Sequence, residues 1–325
     1  MRLLLPSDSV EPAPIRYSVV VPVYGNAATL PQVVDRLTTV ANGLDGPLEV
    51  VFVVDGSPDD SLQVLQRTLP DAKISSQLVT HSRNFGSFPA IRTGLAAARG
   101  EFIGVMAADL QEPPELMEEF FEKLSAGEHD VVVGRRESRA DPAMSSFLSR
   151  TFWNAYRRII NPEIPRGGVD VFGCSREVAD RLLELKESHS SLVGLLYWVG
   201  YRRAEVPYER LVRTEGKSGW TFRKRLQYLL DSVFSFTDIP IRILTSVGVI
   251  GSILTVLIGI AVLASWATGQ IDEVGYTPLM LTMLFSTFLL LAGLGVVGSY
   301  VWRAYENSKA RPLSLARTRE TFDGR

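Results

Sequence analysis

The sequence predicts an α/β protein built on a mostly parallel sheet, followed by an interfacial amphipathic helix and two membrane-spanning helices. Three observations predict it. Through residues 1–240, short apolar runs alternate with helical amphipathic periodicity, as strands covered by helices on both faces do. Two later segments, 243–266 and 277–302, contain no Asp, Glu, Lys or Arg, and each exceeds the ~20 residues that span hydrocarbon. A charged amphipathic stretch stands directly before the first of them.

The elements come in order along the chain. RYSVVVPVY (16–24) reads as a strand, and Leu30, Val33, Val34, Leu37, Val40 and Leu44 mark one face of a helix. LEVVFVVD (48–55) is a second strand, with the next helix capped near Asp59 or Asp60. SQLVTH is a third strand, FPAIRTGLAAARG a helix ended by Gly100, and EFIGVMAAD a fourth strand. Pro113 and Pro114 open another helix, because proline is tolerated in a first turn. DVVVG and VDVFGC are further strands.

The 325 residues suffice for one large domain or two modest ones. A net charge of −2 supplies no global field for nucleic acid or anionic lipid. Cys174 is the single cysteine, so an internal disulfide is excluded and a reducing compartment is expected. His81, His129 and His189 are scattered and build no His-rich zinc site. The opening MRLLLPSDSVEPAP has only three leucines before Pro6, unlike a secretory signal, and 1–15 reads as a disordered tail.

The flanks orient the apolar spans. The connector ATGQIDEVGY holds Asp272 and Glu273 without Lys or Arg, whereas Arg223, Lys224, Arg225 and Arg242 precede the spans and Arg303, Lys309, Arg311, Arg317 and Arg319 follow them. By the positive-inside rule both termini are cytosolic, in an inner (plasma) membrane protein that crosses twice. Trp266, Tyr276, Tyr300 and Trp302 stand at interfacial positions. In 220–240, Phe222, Leu226, Leu229, Leu230, Val233 and Thr237 share a helical face, with Arg223, Lys224 and Asp231 elsewhere, the pattern of a helix lying in the interface. The expected division is 1–15 tail, 16–219 cytosolic domain, 220–240 interfacial helix, 241–302 transmembrane hairpin and 303–325 basic cytosolic tail. Small residues in GVIGS and GLGVVGS allow close packing of the spans.

Parallel α/β sheets bind ligands outside the carboxyl ends of their strands. There the sequence places Pro22, Tyr24 and Asn26, then Asp55, then Asn84 and Gly86, then Asp109 and Gln111, then Arg135 and Arg136. Five polar loops on one edge make a candidate site. A dinucleotide site is excluded by the lack of G-x-G-x-x-G after the first strand, and a P-loop by Leu211 at the position of its first glycine. Ser-His-Asp hydrolysis lacks its G-x-S-x-G elbow. A nucleotide-sugar site fits: Asp55 and Asn84 suit nucleobase and ribose, and Asp109 with Gln111 offers oxygen ligands to Mg²⁺ or Mn²⁺ on a diphosphate.

VVVPVYGN, VVDGSPDD, RNFGSFPAIRTG, AADLQEPPE and GRR, followed by two apolar spans and YENSKARP, make the chain resemble the family 2 glycosyltransferases of GT-A fold over roughly residues 16–315. The subgroup it resembles comprises the membrane-bound polyprenyl-phosphate glycosyltransferases: dolichol-phosphate mannose synthase and the undecaprenyl-phosphate glucosyl and aminoarabinose transferases. The resemblance implies a Rossmann-like GT-A domain, Mg²⁺ or Mn²⁺, a UDP- or GDP-linked sugar donor, a polyprenyl phosphate acceptor and inverting transfer at the cytosolic face. It also implies a homo-oligomer, a tetramer in relatives.

By position, the resemblance assigns Pro22, Tyr24, Asn26, Asp55, Asn84 and Gly86 to nucleotide binding. It assigns Asp109 and Gln111 to metal and diphosphate, and Asp170 to the sugar. Arg136 and Arg150 fall to the acceptor phosphate, and Arg213, Lys217 and Ser218 to a loop closing on the diphosphate. Two positions depart from the family pattern, Val54 and Ala107, each where an acid is usual. They keep open a second class, a membrane-anchored pseudoenzyme that binds a nucleotide sugar or scaffolds a partner. A processive polysaccharide synthase fits less well, with only two spans and no Q-x-x-R-W stretch.

Overall fold

The computed structural model describes residues 14–137, 157–158, 161–165, 168–187, 190–211, 222–268 and 276–324. They fall into two compact units: one from Met1–Lys186, Leu192–Gly219 and Pro312–Arg325, the other from Glu187–Ser191 and Trp220–Arg311.

The first unit is an eight-stranded sheet with helices on both faces. In chain order it contains β1 (Tyr17–Val23), α1 (Leu30–Gly43), β2 (Leu48–Val54), α2 (Ser61–Thr68), β3 (Ser75–His81), α3 (Ser87–Ala97), β4 (Phe102–Val105) and α4 (Leu116–Ser125). Then come β5 (Val131–Arg136), β6 (Phe172–Ser175), α5 (Arg176–Glu184), α6 (Leu192–Trp198), β7 (Arg203–Tyr208) and, from the far end of the chain, β8 (Ala316–Phe322). The strand order is β7-β5-β6-β4-β1-β2-β3-β8. β1 pairs in parallel with β2 and β4, β2 with β3, and β5 with β7. β6 runs antiparallel between β4 and β5, and β8 antiparallel to β3. The mostly parallel α/β sheet expected from the sequence is present.

Side-chain alternation places the core. Val19, Val21 and Val23 of β1 and Val50, Phe52 and Val54 of β2 pack with Leu30, Val33, Val34 and Leu37 of α1 and with Met117, Phe120 and Phe121 of α4. On the opposite face α3 lies against β1 through Gly94, where an added Cβ would fall 2.1 Å from a Val20 methyl. Buried Arg92 of α3 donates to the carbonyls of Leu182 and Leu183 at the end of α5, which fixes that second helical layer. Cys174 is buried in β6, and burial pushes its thiol up to about 12, so it is an inert core residue.

At the amino ends of the strands Glu49 is buried and fully engaged. It accepts from Ser18 Oγ (2.9 Å), Gln77 Nε2 (2.9 Å), the Arg99 amide (2.6 Å) and Arg99 Nε (2.8 Å). This charge belongs to strand assembly, since it sits at the end of the sheet away from the polar loops.

The final strand is a finding the sequence did not foretell. Residues 303–325 were expected as a basic tail. Instead the last helix continues to Ser308, and Ala316–Phe322 add an outer strand to β3. ARTRETF contains one large apolar residue, Phe322, so no hydrophobic alternation announced it. Side-chain bonds hold it instead: Thr80 to Thr318 at 2.6 Å and Arg319 Nε to Gln77 Oε1 at 2.9 Å.

The second unit holds three helices, α7 (Phe222–Phe236), α8 (Ile239–Ala267) and α9 (Tyr276–Ser308). The segments Tyr228–Phe236 and Ile239–Gly251 meet at a 73° bend, so α7 is a helix apart from α8. Asp231 of α7 pairs with Arg303 of α9 at 2.7 Å, and the Arg303 guanidinium lies over the Phe234 ring. By length and composition of the described residues, Phe285–Ser308 is long and apolar enough to cross a membrane.

Candidate active site

The topology gathers the expected loops. β1, β2, β3, β4, β5 and β7 run in one direction, so their carboxyl ends share an edge, and antiparallel β6 begins there. Pro22, Tyr24 and Asn26 end β1, Asp55 follows β2, Asn84 and Gly86 follow β3, and Asp109 and Gln111 follow β4. Arg136 ends β5 and Asp170 precedes β6. The chain also leaves the sheet at this edge after Leu211 and re-enters it there through the bond from the Ser82 amide to the Leu315 carbonyl (3.0 Å). Arg150, Arg213, Lys217 and Ser218 lie outside the described residues.

The loops after β1 and β2 are stitched together. Ser57 Oγ accepts from the Gly25 amide at 2.8 Å, Ser61 Oγ from the Asn26 amide at 3.2 Å, and Asp59 Oδ2 from the Ala27 amide at 3.0 Å. Asp59 Oδ1 accepts from both Ser57 and Ser61 hydroxyls. Burial raises the Asp59 carboxyl, but the hydrogen bonds from Ser57, Ser61 and the Ala27 amide outweigh it and hold the group at about 2. The sequence reading gave Asp59 only a capping role. Tyr24 stands half exposed at the loop tip, its amide bonded to Asn26 Oδ1 (3.1 Å).

Asp55 is held within the loop structure. It is buried, and its carboxylate is taken by the amides of Phe85 (2.9 Å) and Gly86 (2.7 Å) and by His81 Nδ1 (2.8 Å). It therefore shapes the loop that displays Asn84, which is exposed. Gly56 beside it has φ +57°, and a Cβ there would fall 2.4 Å from the Asn84 amide nitrogen. Only glycine lets these two loops approach so closely.

The turn after β4 is strained at its centre, with Leu110 at φ 57° between Asp109 and Gln111. Gln111 is not presented freely. Its side-chain oxygen accepts from Arg210 Nη2 at 2.7 Å, and its carbonyl from the Leu211 amide at 2.9 Å. Arg210, just past β7, also brings Nε to 3.5 Å from Glu112 Oε1, without the alignment of a hydrogen bond. Glu112 is 1% exposed, and neither carboxylate oxygen has a hydrogen-bond partner. Burial raises its carboxyl, the Asp109 charge adds to this, and Arg210 and Arg136 oppose it. Sequence reading passed over Glu112 as part of a helix start, although an acid directly before Pro-Pro lies too early to cap that helix.

Arg136 donates to Asp170, which also accepts from the Tyr208 hydroxyl at 3.2 Å. Burial, followed by the Glu112 charge, raises the Tyr208 hydroxyl, keeping it a donor. A cavity of about 720 Å³ opens beside Arg136, lined by Arg135, Arg157, Glu163, Ile164, Pro165 and Glu205 among others. Of the buried side-chain polar atoms without a partner among the described residues, five of eight are here: both Glu112 oxygens and the Nε atoms of Arg136, Arg157 and Arg210. Buried polar groups are ordinarily satisfied, so this concentration makes the region a candidate ligand site.

Residues 18–183 match the profile described as glycosyl transferase family 2. An uncharacterized glycosyltransferase of Synechocystis sp. is 33% identical over 301 residues, covering 93% of this chain and 94% of that protein. The bactoprenol glucosyl transferase of Shigella phage SfX is 28% identical over 309 residues, covering 94% of this chain and all of that protein. Among solved structures, a mannosyltransferase from Pyrobaculum calidifontis in complex with GDP-Man and Mn²⁺ aligns with a TM-score of 0.43 at 17% identity, covering 89% of each chain. The family profile and these relatives define a glycosyltransferase built on an α/β sheet. The chain belongs to glycosyltransferase family 2.

Proposed function

We propose that this glycosyltransferase moves a sugar from a UDP- or GDP-linked donor to a polyprenyl phosphate at the cytosolic face of the membrane, giving a lipid-linked sugar for envelope glycan or lipid modification. The observation that carries the reading is the convergence of Arg136, Arg157 and Arg210 on one edge, each with a buried Nε that makes no hydrogen bond among the described residues. Such guanidiniums suit phosphate groups, which accept in planar, bidentate fashion. The relatives named as bactoprenol glucosyl transferases, matched over nearly their whole length, support the same acceptor class.

The chemistry needs little from the protein beyond placement. A phosphate oxygen of the acceptor forms the new bond to the anomeric carbon, and the bond from that carbon to the nucleoside diphosphate breaks, its electron pair leaving with the diphosphate. An ionised phosphate has no proton to lose, so no strong base is required. Arg135, Arg136 and Arg157 orient the acceptor phosphate, and Asp170 holds Arg136 in place. Arg210, tied to Gln111, faces the donor diphosphate.

The donor set fits a hard divalent cation. Asp109 offers a carboxylate and Glu112 two oxygens that make no hydrogen bond among the described residues, while no group of three or more His, Cys, Asp or Glu is placed to hold a metal among the described residues. That suits Mg²⁺ or Mn²⁺ shared with substrate phosphates rather than caged by protein. Bound there, such a cation would neutralise charge on the departing diphosphate.

The helical unit fits a bilayer. α8 and α9 have 29 and 33 residues, or ~43 and ~50 Å at 1.5 Å per residue, against ~30 Å of hydrocarbon. Their apolar side chains stand open, with Ile250 65% and Phe288 69% exposed, as lipid-facing groups would. β8 pairs with β3 in the sheet that holds β1, so a hairpin crossing twice would leave both flanks on one side of the bilayer, and the basic residues flanking the spans favour the cytosolic side. α7, bent away from α8, then lies in the interface, and small-residue stretches in the spans favour a homo-oligomer.

The test is a screen of purified full-length protein with Mg²⁺ or Mn²⁺, undecaprenyl phosphate and labelled UDP- and GDP-sugars. A lipid-linked sugar from one donor supports the proposal. Nucleotide binding without turnover on any donor would instead favour the pseudoenzyme that Val54 and Ala107 leave open.

A further inference from the structure

The loop that displays Asn84 and Gly86 is built from behind by a chain of side chains ending in the last segment of the protein. Asp55 accepts the amides of Phe85 and Gly86 and, at 2.8 Å, His81 Nδ1. A carboxylate accepts, so Nδ1 carries a proton, and with the imidazole neutral Nε2 accepts from the Thr93 hydroxyl at 2.9 Å. Thr93 Oγ1, having given its proton, accepts in turn from Ser314 Oγ at 2.8 Å. With His81 neutral, each hydroxyl and ring proton in the series is used once, from Ser314 through Thr93 and His81 to Asp55, which also accepts the loop amides. His81 and Asp55 are both buried, where a dropped bond leaves a desolvated polar group.

The residues after Ser314 hold it in place. Leu315 accepts the Ser82 amide, and β8 pairs with β3 from Ala316 onward. The series thus joins three elements at the site edge: the end of β3, the middle of α3 and the entry to β8. The His81 ring also meets Phe85 edge-on at 5.5 Å, and Arg83 lies over the same Phe85 ring at 4.2 Å. An apolar residue at position 81 would leave Asp55 Oδ1 and Thr93 without these partners.

We propose that Ser314, Thr93 and His81 are positioning residues of the nucleotide site, and that the C-terminal segment completes the loop that receives the nucleoside diphosphate. The inference rests on the nucleotide-sugar reading of this edge. It makes donor affinity depend on a hydroxyl that stands 221 residues beyond Thr93 in sequence.

The experiment uses full-length protein in detergent, titrated calorimetrically with UDP and with GDP in the presence of Mn²⁺, with donor KM, kcat and melting temperature measured in parallel. The variants are Ser314→Ala, Ser314→Thr, Thr93→Val and the double variant Thr93→Val/Ser314→Ala. Ser314→Ala should weaken nucleotide affinity and raise donor KM roughly 3- to 10-fold, the worth of one buried hydrogen bond, with kcat within about twofold. Ser314→Thr, which keeps the hydroxyl, should restore affinity. The double variant should bind no worse than Thr93→Val, because both changes cut one series. Wild-type affinity in Ser314→Ala and Thr93→Val overturns the inference while leaving the nucleotide reading intact, as does a lowered melting temperature with unchanged affinity. A wild-type protein that binds neither nucleotide overturns both.

Discussion

The Asp59 carboxylate accepts the backbone N–H of Ala27 at 3.0 Å, so the loop after β2 fixes the loop after β1. Asp59→Asn should lower melting temperature and weaken UDP or GDP binding together. The group is held at about 2 when folded, below the ~3.9 of an unfolded aspartate. Its contribution is therefore complete above about pH 4 and lost as pH falls through about 2. Acid unfolding followed by circular dichroism should be shallower for the variant, and an unchanged acid limb would refute the assignment.

Gly56→Ala forces a Cβ to within 2.4 Å of the Asn84 amide at a φ of +57°. A cost of about 1–3 kcal/mol is expected, seen as a lower urea midpoint. Nucleotide affinity should fall with it, because Asn84 must move. A variant of wild-type affinity would place the nucleotide elsewhere.

Glu112→Gln replaces a buried carboxyl whose oxygens make no hydrogen bond among the described residues and whose ion-pair contact with Arg210 is long, at 3.5 Å. Stability should be unchanged or higher, since a neutral isostere needs less solvation. Transfer should drop at least about tenfold, as loss of one electrostatic group at a reacting centre does. Equal activity in both proteins would make Glu112 structural.

Asp109→Asn should abolish sugar transfer, whereas Arg136→Ala should chiefly raise acceptor KM, because Arg136 lines the cavity and pairs with Asp170. Steady-state kinetics with varied donor and varied polyprenyl phosphate separate the two. Matching kinetics to wild type in both variants would mean that the site has been misplaced.

Glu49→Ala strips partners from Ser18, Gln77 and Arg99 far from the site. Arg99 is half exposed and can turn to water, so the loss should be about 2–4 kcal/mol, from unmade hydrogen bonds and a small cavity. Chemical denaturation measures it, and nucleotide affinity at low temperature should not change.

The apolar strands were legible because a buried strand must be apolar along its length, as LEVVFVVD is save for Glu49 and Asp55. The polar loops were legible because strand direction alone sends them to one edge. Glu112 and Arg210 were not: they are 98 positions apart in sequence, and nothing local marks them as neighbours. Asp55 was read as a nucleotide contact because its residue type suits one, whereas the three partners that also make it the frame of the loop come from residues 26 to 31 positions away. β8 escaped notice because an outer strand facing solvent carries little hydrophobic signal, and pairing with β3 is decided by backbone groups that every sequence possesses.

Taken alone, the sequence determined the α/β class, the family likeness and the apolar character of the two segments near the C-terminus, since each follows from residue types repeated at short range. Only the tertiary structure decided which polar groups are shared between loops, which charges stand without partners, and that the chain's last segment returns to the first strands' sheet. Those outcomes depend on contacts between residues distant in sequence, where geometry selects among many chemically equal candidates.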